Sequence, residues 1–141
     1  MIAFLDTNVL LDVFLERPPH AADAIMLFGL VEKGRFRGAV SAISFNNSDY
    51  MARKLAGRSK SLAMMRRMMA LFDVVSLDRS ILEQSLDADI HDFEDAIQYF
   101  SALRTRADYL VTRNPAHFPK DEIAVVSPEE LLAIVDAESQ M

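Results

Sequence analysis

Four apolar residues, Ile2-Ala3-Phe4-Leu5, run without a turn into Asp6-Thr7-Asn8. A strand so short, with no polar alternation, suits a sheet covered on both faces, and such sheets are parallel with helices on either side. Asp6 then falls at the C-terminal end of its strand, the edge where open parallel sheets gather their functional groups. Later segments repeat the pattern. Gly38 to Ile43, Val74 to Leu77, Tyr109 to Val111 and Ile123 to Val126 read as further strands. Stretches of helical periodicity separate them, which calls for crossover connections and parallel pairing.

The intervening segments carry their own start and stop signals. Val9 to Leu15 is an apolar helix stopped by Arg17-Pro18-Pro19, and His20 to Glu32 presents Ala24, Leu27, Phe28 and Val31 on one face. Helices are predicted from about Ser44 to Leu55 and from Leu62 to Phe72, with the break at Gly57 and Ser59. Asp78 is a suitable cap for the next helix. Phe93 to Thr105 follows, burying Ala96, Phe100 and Leu103, and Ser127-Pro128-Glu129-Glu130 opens a last helix. The expectation is one domain over residues 1–141, an α/β three-layer α/β/α sandwich around a central, mostly parallel sheet.

Charge narrows the function classes. The total is −6, but Lys33 to Phe72 holds nine basic residues against the single acid Asp49, a net +8 that leaves −14 elsewhere. A basic surface beside an acidic pocket suits a phosphate backbone, and a plain solubilising surface is the competing account. The chain has no cysteine, which excludes thiolate ligands and agrees with a reducing compartment. Asp6 interrupts the opening apolar run, so no secretion signal is expected. No long charge-free stretch spans a membrane, and the expected location is the cytoplasm. A Gly-rich phosphate loop is missing, which argues against nucleoside triphosphate chemistry.

The acids point to a cation. Asp6 capping its own helix accounts for one carboxylate, but not for Asp92 and Asp95, read as three apart on one side of a helix start. Glu94 is expected on another face, in solvent. Asp12 and Glu16, four apart on the first helix, either border the pocket or, on the simpler reading, face solvent. Carboxylates meeting in one crevice repel unless a proton or a cation lies between them. An all-oxygen donor set favours Mg or Mn over zinc, and such ions act on phosphodiesters. Met64 with Met68 and Met65 with Met69 widen the apolar face of their helix. Core packing is the simpler reading, and a partner surface is the rival.

Taken together, Phe4-Leu-Asp-Thr-Asn-Val-Leu-Leu-Asp12, Ser41-Ala-Ile-Ser-Phe45, Asp92-Phe-Glu-Asp-Ala-Ile-Gln98 and Val111-Thr-Arg-Asn-Pro-Ala-His-Phe118 resemble a PIN domain, of the small bacterial type similar to VapC toxins. The resemblance covers essentially the whole chain. It implies a Mg- or Mn-dependent endoribonuclease of the kind that serves as the toxin of a toxin-antitoxin pair, which cleaves RNA to 5'-phosphate and 3'-hydroxyl ends, is restrained by an antitoxin and commonly forms a homodimer. By the same resemblance, Asp6 matches the first acid, Asp95 the third and Asp92 an additional one. Thr112 and Asn114 match polar residues that support the first acid. Two positions depart from the pattern: Asn47 stands where a glutamate is usual, and His117 where an aspartate is usual. Asn47 still offers a carbonyl oxygen to a metal, while His117 can bind metal, hold water or contact phosphate. These substitutions motivate an alternative, a PIN-like RNA- or protein-binding module with weak or no catalysis. Arg53, Lys54 and Arg58 are the candidate RNA-backbone contacts.

Overall fold

The computed structural model describes residues 1–140. Strands β1 (Ile2–Leu5), β2 (Arg37–Ser41), β3 (Asp73–Val75), β4 (Tyr109–Val111) and β5 (Ala124–Val126) form one sheet in the order β3-β2-β1-β4-β5. Every pairing is parallel, so the sheet is more uniform than the expected mostly parallel one. Helices α1 (Thr7–Phe14), α2 (Ala21–Glu32), α3 (Ala42–Ala56), α4 (Arg58–Leu71), α5 (Arg79–Asp87), α6 (Phe93–Arg104) and α7 (Pro128–Ser139) lie between and after the strands.

Strand alternation divides the interior into two cores. Ala3, Leu5, Val40, Val111 and Val126 face one side, against Leu10, Leu27, Phe28, Met68 and Leu131 from the helices. Phe4, Ala39, Leu110 and Val125 face the other, against Ile81, Ile97, Tyr99 and Ala102. Neighbouring residues of each strand therefore serve opposite layers, as period-two geometry requires. This is the predicted three-layer sandwich.

Boundaries moved where a side chain competed for backbone. The helix after β2 begins at Ala42 rather than Ser44, because the Ser41 hydroxyl accepts from Ile43 N–H at 3.2 Å and caps it. The break near Gly57 is a single residue with φ of 90°, and α4 resumes at once at Arg58. Asp78 caps α5 as predicted, and Ser127 with Glu130 forms a reciprocal capping box on α7. On α6, Ala96 is buried as expected, whereas Phe100 and Leu103 are half-buried and Ile97, Tyr99 and Ala102 fill the core. Met64 and Met68 are core residues, Met65 packs against the core, and Met69 stands exposed.

Gly38 marks a close approach. A Cβ there would lie 2.6 Å from Phe72 Cδ1 and 3.3 Å from Val31 Cγ2. Phe72 is itself held edge-to-face against Phe28 at 5.1 Å, so the ring has little freedom to yield. Gly38→Ala should therefore destabilise the fold by about 1–3 kcal/mol, the usual cost of overpacking. A chemical-denaturation midpoint equal to wild type would contradict this packing.

Candidate metal centre

Asp6 is the junction between sheet and site. Its backbone N–H continues the β1–β4 ladder by donating to Val111 O at 3.0 Å. Its carboxylate turns to α1, where Oδ1 accepts from Thr7 N–H at 2.8 Å. The other oxygen accepts from the Thr112 hydroxyl at 2.9 Å, just beyond β4. Asn114 contributes through its backbone: its N–H donates to Thr112 Oγ1 at 3.1 Å and fixes that hydroxyl. The Asn114 side chain is on the exposed side of the loop.

One carboxylate oxygen each from Asp6, Glu94 and Asp95 lies within 4.8 Å of the others. They share a crevice of about 310 Å³ with Thr7, Asn8, Leu11, Arg17, Asn47 and Arg113. Glu94 is thus inside the cluster, which corrects the expectation that it faces solvent. Its Oε1 accepts from Gln98 Nε2 at 2.7 Å, Thr7 Oγ1 at 3.2 Å and, more weakly, Asn47 Nδ2 at 3.5 Å. Gln98 also donates to Thr7 Oγ1 and Ser44 Oγ, tying α6 to α1 and α3 through buried polar groups.

Asp92 takes a different place from the one expected. It is the exposed N-cap of α6, with extended backbone, and its Oδ1 accepts from Asp95 N–H at 3.0 Å. The three-residue helical spacing therefore fails for the pair Asp92 and Asp95, since only Asp95 is inside the helix. Asp92 stays outside the cluster but near enough for its charge to act on Asp95. Asn47 lines the crevice as a donor to Glu94. His117, in a 3-10 turn at Pro115–His117, places Nδ1 3.7 Å from Asp95 Oδ2.

Electrostatics follow from burial and crowding. Asp6 is 3% exposed, and its pKa is pushed up to about 7, first by desolvation and then by Glu94, with Asp95 adding and the Thr112 hydrogen bond opposing. Asp95 rises to about 6 through desolvation, Asp92 and Glu94, against the opposing His117. Neutral donors hold Asp6 and Glu94, and no arginine or lysine lies within ion-pair distance of the three acids among the described residues. Asn8, which lines the same crevice, has a buried Oδ1 with no hydrogen-bond partner. An uncompensated all-oxygen set of this kind fits a hard divalent cation.

A family model described as PIN domain matches residues 3–116. The chain belongs to the PIN-domain family. No curated protein matches it. Among solved structures, VapBC2 from Rickettsia felis bound to a promoter DNA fragment is 16% identical, with a TM-score of 0.71 over 90% of this chain and 98% of that one. A toxin-antitoxin complex from Klebsiella pneumoniae is 26% identical, with a TM-score of 0.67 over 89% and 97%. DNA-bound VapBC from Salmonella typhimurium is 19% identical, with a TM-score of 0.69 over 91% and 98%. This PIN domain clusters three acids among the described residues.

The raised pKa values fix the sign of a pH dependence. A carboxyl that holds its proton more tightly when folded stabilises the fold at low pH, and that contribution is lost as pH rises from the unfolded value to the folded one. Without metal, stability should fall between about pH 4 and about pH 7. Asp6→Asn should flatten most of that fall. Millimolar Mg or Mn should raise the melting temperature at pH 7.5 but not at pH 4.5, which differential scanning fluorimetry can read directly.

Proposed function

We propose that this PIN domain is a Mg- or Mn-dependent endoribonuclease that hydrolyses RNA phosphodiesters and serves as the toxin of a toxin-antitoxin pair. The observation that carries the reading is the convergence of Asp6, Glu94 and Asp95 at the carboxyl edge of the sheet without a basic partner. The similar Klebsiella structure, a toxin-antitoxin complex, supports an antitoxin as the restraining partner. A homodimer remains part of the proposal. Arg53, Lys54 and Arg58 are exposed on α3 and α4, with Arg53 paired to Asp49 at 3.3 Å, and are the candidate contacts for an RNA backbone. Among the described residues no helix is long and apolar enough to cross a membrane.

Asp6, Glu94 and Asp95 would hold the ion, with Asn8 and Asn47 as neutral neighbours of the set. When bound, a divalent ion lowers the pKa of coordinated water and neutralises charge on phosphoryl oxygens. The residues around it set orientation. Thr112 and the Thr7 N–H fix both oxygens of Asp6, and Gln98 with Thr7 fixes Glu94. His117, beside Asp95 and open to solvent, is placed to exchange a proton or, when protonated, to meet a phosphate. Asp92 acts on the site through its hold on the first turn of α6 and through its charge.

The weakly catalytic binding module keeps one supporting observation: Asn47 donates to Glu94 where a carboxylate would have offered charge. Metal titration separates the readings. Under the enzyme reading the wild-type chain binds Mn saturably, the Asp6→Asn/Asp95→Asn double variant loses that binding, and Asp6→Asn abolishes RNA cleavage while the fold persists. Asp92→Asn, which preserves the cap, should weaken Mn binding far less than Asp95→Asn. Thr112→Val should cost about 10–100-fold in metal affinity or cleavage rate, the usual loss for a residue that orients a ligand. Wild-type cleavage in Asp6→Asn would remove the enzyme reading.

A further inference from the structure

The metal centre leaves unused a second charge arrangement on its rim. Asp12, on α1, is fully buried, which corrects its expected place in solvent. Two guanidinium groups reach it. Arg17 Nε donates to Oδ1 at 3.0 Å, and Arg113 Nε lies 2.8 Å from Oδ2. The Arg113 N–H is not aimed along that line, so the contact is an ion pair without a formed hydrogen bond. Arg17 is further fixed by donating from Nη2 to the Asn8 carbonyl at 3.2 Å. One buried carboxylate needs one opposite charge. It has two, so the group carries a net positive charge.

Both arginine side chains are half-buried and line the crevice that holds Asp6, Glu94 and Asp95. A free arginine at that rim would turn onto the three acids and take the place of a cation, since charge-assisted pairs of this kind are strong. Asp12 prevents this by holding each guanidinium at Nε. Arg113 keeps both Nη groups, and Arg17 keeps Nη1, for another acceptor. The fork geometry suits an anion with two oxygens. A phosphodiester meets the requirement on both sides, because its two non-bridging oxygens diverge: one can meet the guanidinium edge while the other faces the acid cluster.

We infer that Arg17 and Arg113, positioned by Asp12, form the phosphate-binding wall of the crevice and grip the phosphodiester of the RNA strand presented to the acids. This rests on the ribonuclease reading, and the test keeps the two apart. A fluorescein-labelled single-stranded oligoribonucleotide is titrated into the full chain in metal-free buffer at several salt concentrations, and Mn binding is measured separately. Arg17→Gln and Arg113→Gln should each weaken RNA binding about tenfold or more and lower the slope of log affinity against log salt by about 0.7, with Mn affinity retained. Arg113→Lys, which keeps the charge, should hold the slope and still lose affinity. Asp12→Asn keeps both cations and removes a negative charge: simple attraction would tighten RNA binding, whereas loss of the tether weakens it. Circular dichroism confirms folding of each variant at the assay temperature.

Unchanged RNA affinity and slope in both glutamine variants, while wild type binds and cleaves RNA, would overturn the inference and leave the ribonuclease standing. Loss of Mn affinity together with RNA affinity would also overturn it, assigning the arginines to the architecture of the metal centre. A wild-type chain that neither binds nor cleaves RNA would overturn both.

Discussion

Strand β1 has no exposed edge, because β2 pairs on one side and β4 on the other, and Ala3, Phe4 and Leu5 are wholly buried. A strand so enclosed cannot slip register without placing core residues on the wrong face. The register holds Leu5 against Val111, so the chain delivers Asp6 beside Thr112 each time it folds. Burial then raises the cost of the Asp6 charge, and two more carboxylates are placed against it by α6. The positional certainty of the sheet thereby becomes an electrostatic demand that a cation can satisfy.

That demand is maintained by the choice of neighbours. Thr7, Ser44, Gln98 and Thr112 donate hydrogen bonds within the buried network but bring no charge, so they orient the acids without neutralising them. The positive groups in the same crevice are diverted to Asp12. Two charge systems thus sit side by side without cancelling: an acidic one open to a cation and a basic one open to an anion. A metal-dependent phosphodiesterase needs both, since its substrate is an anion that must approach carboxylates.

Much of the architecture was legible because short apolar strands, capped helix starts and proline stops are local signals. The capping residues Asp78 and Ser127 were read correctly for that reason, as was the role of Asp6 at a strand end. The site was legible only in part. Helical phase misplaces Asp92, because its extended backbone puts it outside α6 and moves the functional face to Glu94 and Gln98, four apart. The local capping signal of Asp92 is the same as that of Asp78. Arg113 had no local signal, since its partner Asp12 is about a hundred residues earlier and meets it only through the β1–β4 pairing.

The amino-acid order alone determined the layer arrangement, the delivery of Asp6 to the carboxyl edge and the oxygen-rich, cysteine-free chemistry, because periodicity, capping and donor type are properties of neighbouring residues. Only the tertiary structure decided that Glu94 joins Asp6 and Asp95 while Asp92 does not, and that Asp12 is a buried anchor for two arginines. Those choices depend on angles between elements distant in sequence, where a single turn of helix moves a carboxylate from solvent into a crevice.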